Sequence, residues 1–264
     1  MTRSLRTRVL RWPSADAARI GDVDVKIYTA SLLADENKLE RAVGMLSPAE
    51  RDRFSSYSNG VVSRRFAVGR AIVRQVLGAL RATAPSAIRL VDGLHGKPAI
   101  ASDMPGAPLW FSVAHCDDLL LVAVSKAWEV GVDLERSRPI DCWERVAHRT
   151  LAPAERAHLL RDVERGEAPE RVFLRYWCRV EAELKAIGCG IQGIDAHRAG
   201  VRPAGLRVAD LEELPLPNEL LASVSWYQAA VAVCEPAVAT ARHSRRATSQ
   251  QITPVSPPTS ASTP

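Results

Sequence analysis

The sequence predicts an α+β fold of two lobes related by a pseudo-twofold, each a small antiparallel sheet packed with a long helix. Three observations predict it. Short alternating apolar runs of strand length are interleaved with two long helical patterns. The hexapeptide Leu46-Ser47-Pro48-Ala49-Glu50-Arg51 returns as Leu151-Ala152-Pro153-Ala154-Glu155-Arg156, displaced by 105 residues. The same displacement lays Val25 on Val130 and Ile27 on Val132. The next helix follows at 110, with Arg65 on Arg175, Phe66 on Tyr176 and Gly78 on Gly188. Strand, proline-started helix and long helix recurring in one order imply two related lobes of about 100 residues packed as a pseudo-dimer. The reading places them at residues 22–127 and 128–236, between a flexible basic extension (1–21) and a disordered tail (237–264).

In chain order, Val23 to Ala30 alternates and reads as the first strand. A helix starts at Ser47-Pro48-Ala49-Glu50, with serine at N-cap, proline at N1 and glutamate at N3 reaching back. A stronger helix covers about 62–80, its apolar face made by Phe66, Ile72, Val73, Val76, Leu77 and Leu80. Gly93, Gly96 and Pro98 mark a turn, and strands follow over 109–114 and 119–125. In the second copy of the long helix, Phe173, Trp177, Val180, Leu184 and Ile187 form the expected buried stripe. The last strand is expected over 223–234. Beyond Glu235 the chain has no acid and is rich in Ser, Thr, Pro and Arg, which predicts disorder.

Composition narrows the class. The chain has 264 residues, 47% hydrophobic and 25% charged, as in ordinary globular proteins. A formal charge of +5 and a pI near 9.1 favour acidic partners. Five scattered cysteines without a C-x-x-C pair argue for free thiols in a reducing, cytoplasmic setting. No apolar run reaches the ~18 residues of a membrane helix, so no membrane partner is expected. Arg3, Arg6, Arg8, Arg11 and Arg19 precede or flank the first acid, Asp16, a pattern faintly like an organelle transit peptide, and targeting stays open.

The chemistry centres on Val130-Gly131-Val132-Asp133-Leu134-Glu135. Alternation puts Gly131, Asp133 and Glu135 on one face, with roughly 7 Å between the Cα atoms of the two acids. Two hard oxygen donors this close suit Mg²⁺, and the glycine leaves room for a ligand or another backbone. The wet face of a half-buried strand would look the same. Glu181 and Lys185 lie one helical turn apart, where an ordinary i,i+4 salt bridge is the alternative. The repeat separates these readings. The counterparts of Asp133, Glu181 and Lys185 in the first copy are Tyr28, Ala71 and Gln75, all uncharged. A need of the scaffold would appear in both copies.

Gly131 to Glu135, followed after a gap of about 40 residues by Trp177-Cys178-Arg179-Val180-Glu181-Ala182-Glu183-Leu184-Lys185-Ala186-Ile187-Gly188, resembles the signature of 4′-phosphopantetheinyl transferases. Length and doubled lobe resemble the long, monomeric surfactin-type branch. Arg65-Phe66-Ala67-Val68-Gly69-Arg70, Gly96-Lys97-Pro98 and Phe111-Ser112-Val113-Ala114-His115 agree with it, and the likeness runs over residues 22–235.

The resemblance implies transfer of phosphopantetheine from coenzyme A to a serine of an acidic acyl or peptidyl carrier protein, releasing adenosine 3′,5′-bisphosphate. It implies Mg²⁺ held by Asp133, Glu135 and Glu181, with Glu181 as base and Lys185 neutralising or protonating the departing phosphate. His115, Arg65 and Lys97 would hold the 3′-phosphate and adenine end, and Arg51 and Arg53 would touch coenzyme A phosphate. Two positions depart from the family pattern: Val180 stands where lysine is usual, and Ala114 where serine is frequent.

Rival readings are a catalytically impaired coenzyme A or carrier-binding homologue, and a metal-dependent nuclease built on Glu183-Leu184-Lys185. The nuclease reading needs that triplet on a strand; on a helix Glu183 and Lys185 diverge by about 160°. Nucleic acid is therefore not an expected partner. Gly188-Cys189-Gly190-Ile191-Gln192-Gly193 ends a helix instead of opening one, which excludes a dinucleotide-binding turn.

Overall fold

The computed structural model describes residues 14–20, 22–93, 95–212, 214, 216–220 and 227–235. The expected tail, residues 1–13 of the expected extension and residues 223–226 of the last expected strand lie outside them. The first lobe runs β1 (Ser14–Ile20), β2 (Val23–Ser31), α1 (Glu36–Met45), α2 (Pro48–Ser56) and α3 (Gly60–Leu80). It continues with a small hairpin, β3 (Leu90–Asp92) and β4 (Pro98–Ile100), then β5 (Trp110–Cys116) and β6 (Leu119–Ser125). The second lobe runs β7 (Glu129–Arg136), α4 (Trp143–Thr150), α5 (Pro153–Glu164), α6 (Pro169–Ile187), α7 (Ile194–Arg198), β8 (Arg207–Asp210) and β9 (Tyr227–Cys234).

Strand order repeats between the lobes. The first sheet is β1-β2-β6-β5 and the second β7-β9-β8, both antiparallel, so β2-β6-β5 matches β7-β9-β8. The added β1 is the difference. It covers the open edge of β2, with Ser14 opposite Thr29 and Ile20 opposite Val23. Residues 14–20, expected within a flexible extension, form a strand instead. Ser-Ala-Asp-Ala-Ala-Arg has little strand propensity, and the pairing comes from the edge it meets, as strand formation generally depends on context.

The layers are α3, first sheet, second sheet and α6. Val25, Ile27, Leu119, Leu121 and Ala123 pack face to face with Val130, Val132, Val231 and Val233, so the lobes share one core. The other face of the first sheet, with Tyr28, Leu120 and Val122, takes Ala71, Ile72 and Val76 of α3. This is why Leu119 to Val124 is continuously apolar: β6 is buried on both faces. Each fully buried valine or leucine contributes about 1.5–3 kcal/mol, so this strand anchors the fold.

The α2 start follows the capping rule, with Ser47 accepting from Glu50 N–H and Glu50 accepting from Ser47 N–H. The stripe expected on α6 is corrected in part. Phe173, Val180 and Leu184 are buried, but Ile187 is exposed and Trp177 only half-buried. A second buried line, Cys178, Ala182 and Ala186, faces Ala230, Ala232 and Cys234 of β9. α6 lies between its sheet and α4, α5 and the 189–194 turn, so two faces are covered where one was expected.

Candidate active site

The site begins with a glycine. A Cβ on Gly131 would stand 1.9 Å from the Ala182 carbonyl oxygen and 2.4 Å from Ala186 N. Gly131 thus lets the backbone of α6 rest directly on β7, with small Ala182 and Ala186 at the contact. The close approach fixes what lies beside it. Glu181 and Lys185 leave the flank of α6 next to Asp133.

Lys185 Nζ donates to Asp133 Oδ1 at 2.6 Å and to the Val132 carbonyl at 3.2 Å. It turns to the strand, where the helical alternative would have sent it to Glu181. Asp133 is 7% exposed, and its second oxygen, Oδ2, is buried without a hydrogen-bond partner. Glu135 accepts from Arg138 at 2.8 Å. Burial holds the Glu181 carboxyl above the usual carboxylate range; nearby Lys185 opposes this, and the Asp133 and Glu135 carboxylates reinforce it. The three acids therefore share one electrostatic site. Among the described residues, no three carboxylate, imidazole or thiol groups stand close enough together to cage a metal ion. The donor chemistry nonetheless fits a hard divalent cation: all are carboxylates, and one buried oxygen lacks a partner.

Across the seam lies a cleft of about 330 Å³ lined by Arg53, Tyr57, Arg65, Phe66, Arg70, Pro98 and His115 among others. β5 reaches β7 through Ser112, whose hydroxyl accepts from Val132 N–H at 3.2 Å. This contact brings cleft and acids together. Loss of solvation and the facing charges of Arg65 and Lys185 hold His115 below its ordinary range. The Arg53 and Arg70 guanidinium groups lie 5.2 and 5.8 Å from the Phe66 ring centre, within cation–π range.

Two expected cations point elsewhere. Lys97 pairs with Glu129 at 2.8 Å and lines a neighbouring cleft of about 520 Å³ with Trp110 and Ile187. Pro98 is the wall between the two clefts. Arg51 donates back to the Leu46 carbonyl, an acceptor left open at the C-terminal end of α1.

Both departures from the family pattern are core positions. Val180 is 0% exposed and Ala114 6%, the first among the α4–α6 side chains and the second between the sheets. Neither side chain faces the cleft. Sequence reasoning missed Asp118, which accepts from Arg65 Nε at 2.9 Å, and Arg138, the partner of Glu135. It also left Arg70 and Tyr57 without a role in the cleft. Glu183 turns away from Lys185, as helical geometry requires, to meet His197 at 3.2 Å and Arg202 at 2.8 Å.

Comparison with known proteins places this geometry. The family model of the 4'-phosphopantetheinyl transferase superfamily matches residues 129–232, the stretch from the start of β7 into β9 that carries Asp133, Glu135, Glu181 and Lys185. The chain is 31% identical over 208 residues to the 4'-phosphopantetheinyl transferase HetI of Nostoc sp., covering 76% of this chain and 87% of that one. It is 34% identical over 129 residues to the 4'-phosphopantetheinyl transferase AcpT of Salmonella typhimurium, covering 49% of this chain and 61% of the relative. A phosphopantetheinyl transferase of Thraustochytrium sp. is 27% identical over 179 residues, 63% of this chain and 62% of its own. With a relative matched over nearly its whole length and the second lobe matched by the family model, the chain belongs to the 4'-phosphopantetheinyl transferase superfamily.

Proposed function

We propose that this protein moves the phosphopantetheine arm of coenzyme A onto a serine hydroxyl of an acidic acyl or peptidyl carrier protein, releasing adenosine 3′,5′-bisphosphate. The observation that carries the reading is the juxtaposition of a cationic cleft with an acid–lysine cluster across one seam. Coenzyme A needs both: cations for its 3′-phosphate and adenosine end, and a neutralised grip on its pyrophosphate. Arg65 and His115 face the first requirement and Lys185 the second. Arg53 lines the same cleft as Arg65 and would touch the phosphate with it.

Asp133, Glu135 and Glu181 would hold Mg²⁺, which when bound neutralises pyrophosphate charge. Glu181 would act as the base that takes the serine proton. Lys185 is one helical turn on, where its ammonium can neutralise the leaving phosphate. The basic chain would draw in an acidic carrier by long-range attraction. A single chain supplies both walls of the seam, in keeping with a monomer. The five cysteines are unpaired, in keeping with the cytoplasm, and among the described residues no helix is long and apolar enough to cross a membrane.

The rival, an impaired homologue, drew on Val180 and Ala114, and both are buried away from the cleft. The test is to incubate the full chain with coenzyme A, Mg²⁺ and a panel of apo fatty-acid, polyketide and peptide carrier proteins and weigh the carriers. The expected result is addition of one phosphopantetheine to at least one carrier. Unchanged mass across the panel would refute the proposal.

A further inference from the structure

We propose that Asp118 is a positioning residue that aims Arg65 into the cleft and so sets the preference for a 3′-phosphorylated coenzyme A. The inference rests on the reading above, which puts the 3′-phosphate at Arg65 and His115.

Asp118 occupies the two-residue turn joining β5 to β6, directly after His115-Cys116. Its Oδ1 accepts from Arg65 Nε at 2.9 Å, and this bond holds the arginine above its ordinary range despite partial burial. Binding at Nε engages one side of the guanidinium fork and leaves the terminal nitrogens for a ligand. Arg65 lines the cleft, so the fork is presented where the anion is expected.

The turn itself is clamped on both sides. The Asp118 carbonyl accepts from Leu32 N–H at 2.7 Å, tying it to the end of β2. Asp117 sits at a left-handed φ of 51° and pairs with Arg136 at 3.1 Å, tying it to the end of β7. Aspartate is among the few side chains that accept this backbone region. The Asp118 carboxylate is thus a fixed post between the lobes.

A purely structural role accounts poorly for it. The Arg65 and Asp118 side chains are 30% and 29% exposed, and an ion pair that water still reaches contributes little to fold stability. The backbone bond to Leu32 already holds the turn. What the carboxylate adds is order: an arginine side chain has many rotamers, and one fixed in advance need not lose that freedom on binding.

The experiment measures kcat and KM with coenzyme A and with 3′-dephospho-coenzyme A, on an apo carrier, for the wild-type chain, Asp118→Ala and Asp118→Asn. Asp118→Ala is expected to raise KM for coenzyme A about tenfold with kcat within about twofold, and to leave KM for the dephospho form unchanged. Asp118→Asn keeps an acceptor oxygen for Nε and is expected to restore most of the loss. An unchanged KM for coenzyme A in Asp118→Ala, or equal increases for both substrates, overturns the positioning role while transfer itself stands. A wild-type chain that uses both substrates equally removes the 3′-phosphate from Arg65 and overturns the placement beneath the proposal.

Discussion

The cleft of the first lobe and its counterpart in the second occupy the same place in the repeat, yet their matching helix arginines are engaged differently. Arg53, Arg65 and Phe66 correspond to His158, Arg175 and Tyr176. In the second lobe Arg175 is held by Glu167 at 2.8 Å and Asp162 at 2.9 Å, and Arg179, over the Tyr176 ring, pairs with Asp210. Those cations are cancelled from within the chain. In the first lobe Asp118 engages Arg65 from one side only, and Arg53 bonds the neutral Tyr57. The acids show the reverse asymmetry. Tyr28, Ala71 and Gln75, the counterparts of Asp133, Glu181 and Lys185, are all buried. Edge pairing explains why. β2 lies between β1 and β6, whereas β7 pairs only with β9 and turns its other edge to the first lobe. The acids gather on the strand whose second edge meets the other lobe in place of a strand partner.

The largest effect should follow from Asp133→Ala. If the acids of the second lobe serve chemistry alone, transfer falls at least about a thousandfold while the circular dichroism spectrum is kept. Wild-type turnover in that variant would make β7 an ordinary strand and erase the contrast with β2. Gly131→Ala tests the geometry beneath it. The new methyl group would meet α6 backbone at 1.9 Å, where neither partner can rotate aside, so a loss of about 3 kcal/mol in denaturant unfolding is expected. The first lobe has exposed Lys26 at the matching position, so its long helix makes no such approach. A fully stable Gly131→Ala would mean that α6 is not seated on β7 as described.

Much of this was readable from the chain. The repeated hexapeptide gave the two lobes, and the aligned strand and long helix, charged in one copy and uncharged in the other at three places, pointed to Asp133, Glu181 and Lys185. The glycine at 131 flagged a close approach, although not whose backbone would fill it. What stayed hidden has a common cause. The Arg65–Asp118 and Lys97–Glu129 pairs join residues 53 and 32 apart, and tertiary pairs leave no periodic trace. The family resemblance put Lys97 beside His115, whereas the glutamate at the start of β7 draws it into the next cleft. β1 was invisible because its residues do not favour strand formation by themselves. The second buried face of α6 was missed because alanine and cysteine barely register in a hydrophobic stripe.

The smallest effect concerns the two capping glutamates, which occupy matching places and have different inner partners. Glu50 accepts from Ser47 N–H and pairs with Arg74, a side chain only 2% exposed. Glu155 accepts from Ala152 N–H and meets His197 at 2.9 Å, with Glu183 on the other ring nitrogen and Arg202 reaching both acids. Burial works against a charged imidazole there, but hydrogen bonds to Glu155 and Glu183 outweigh it and raise His197 to about 9. A folded-state value above the unfolded one means the stabilisation is complete below the ordinary range near 6.5 and disappears as pH rises through about 9. The wild-type chain should lose on the order of 2 kcal/mol of unfolding free energy between pH 7 and pH 10 from this group. His197→Gln should be less stable at pH 7 and lack that component. Equal alkaline slopes in wild type and His197→Gln would show that the second lobe is held, like the first, by arginine alone.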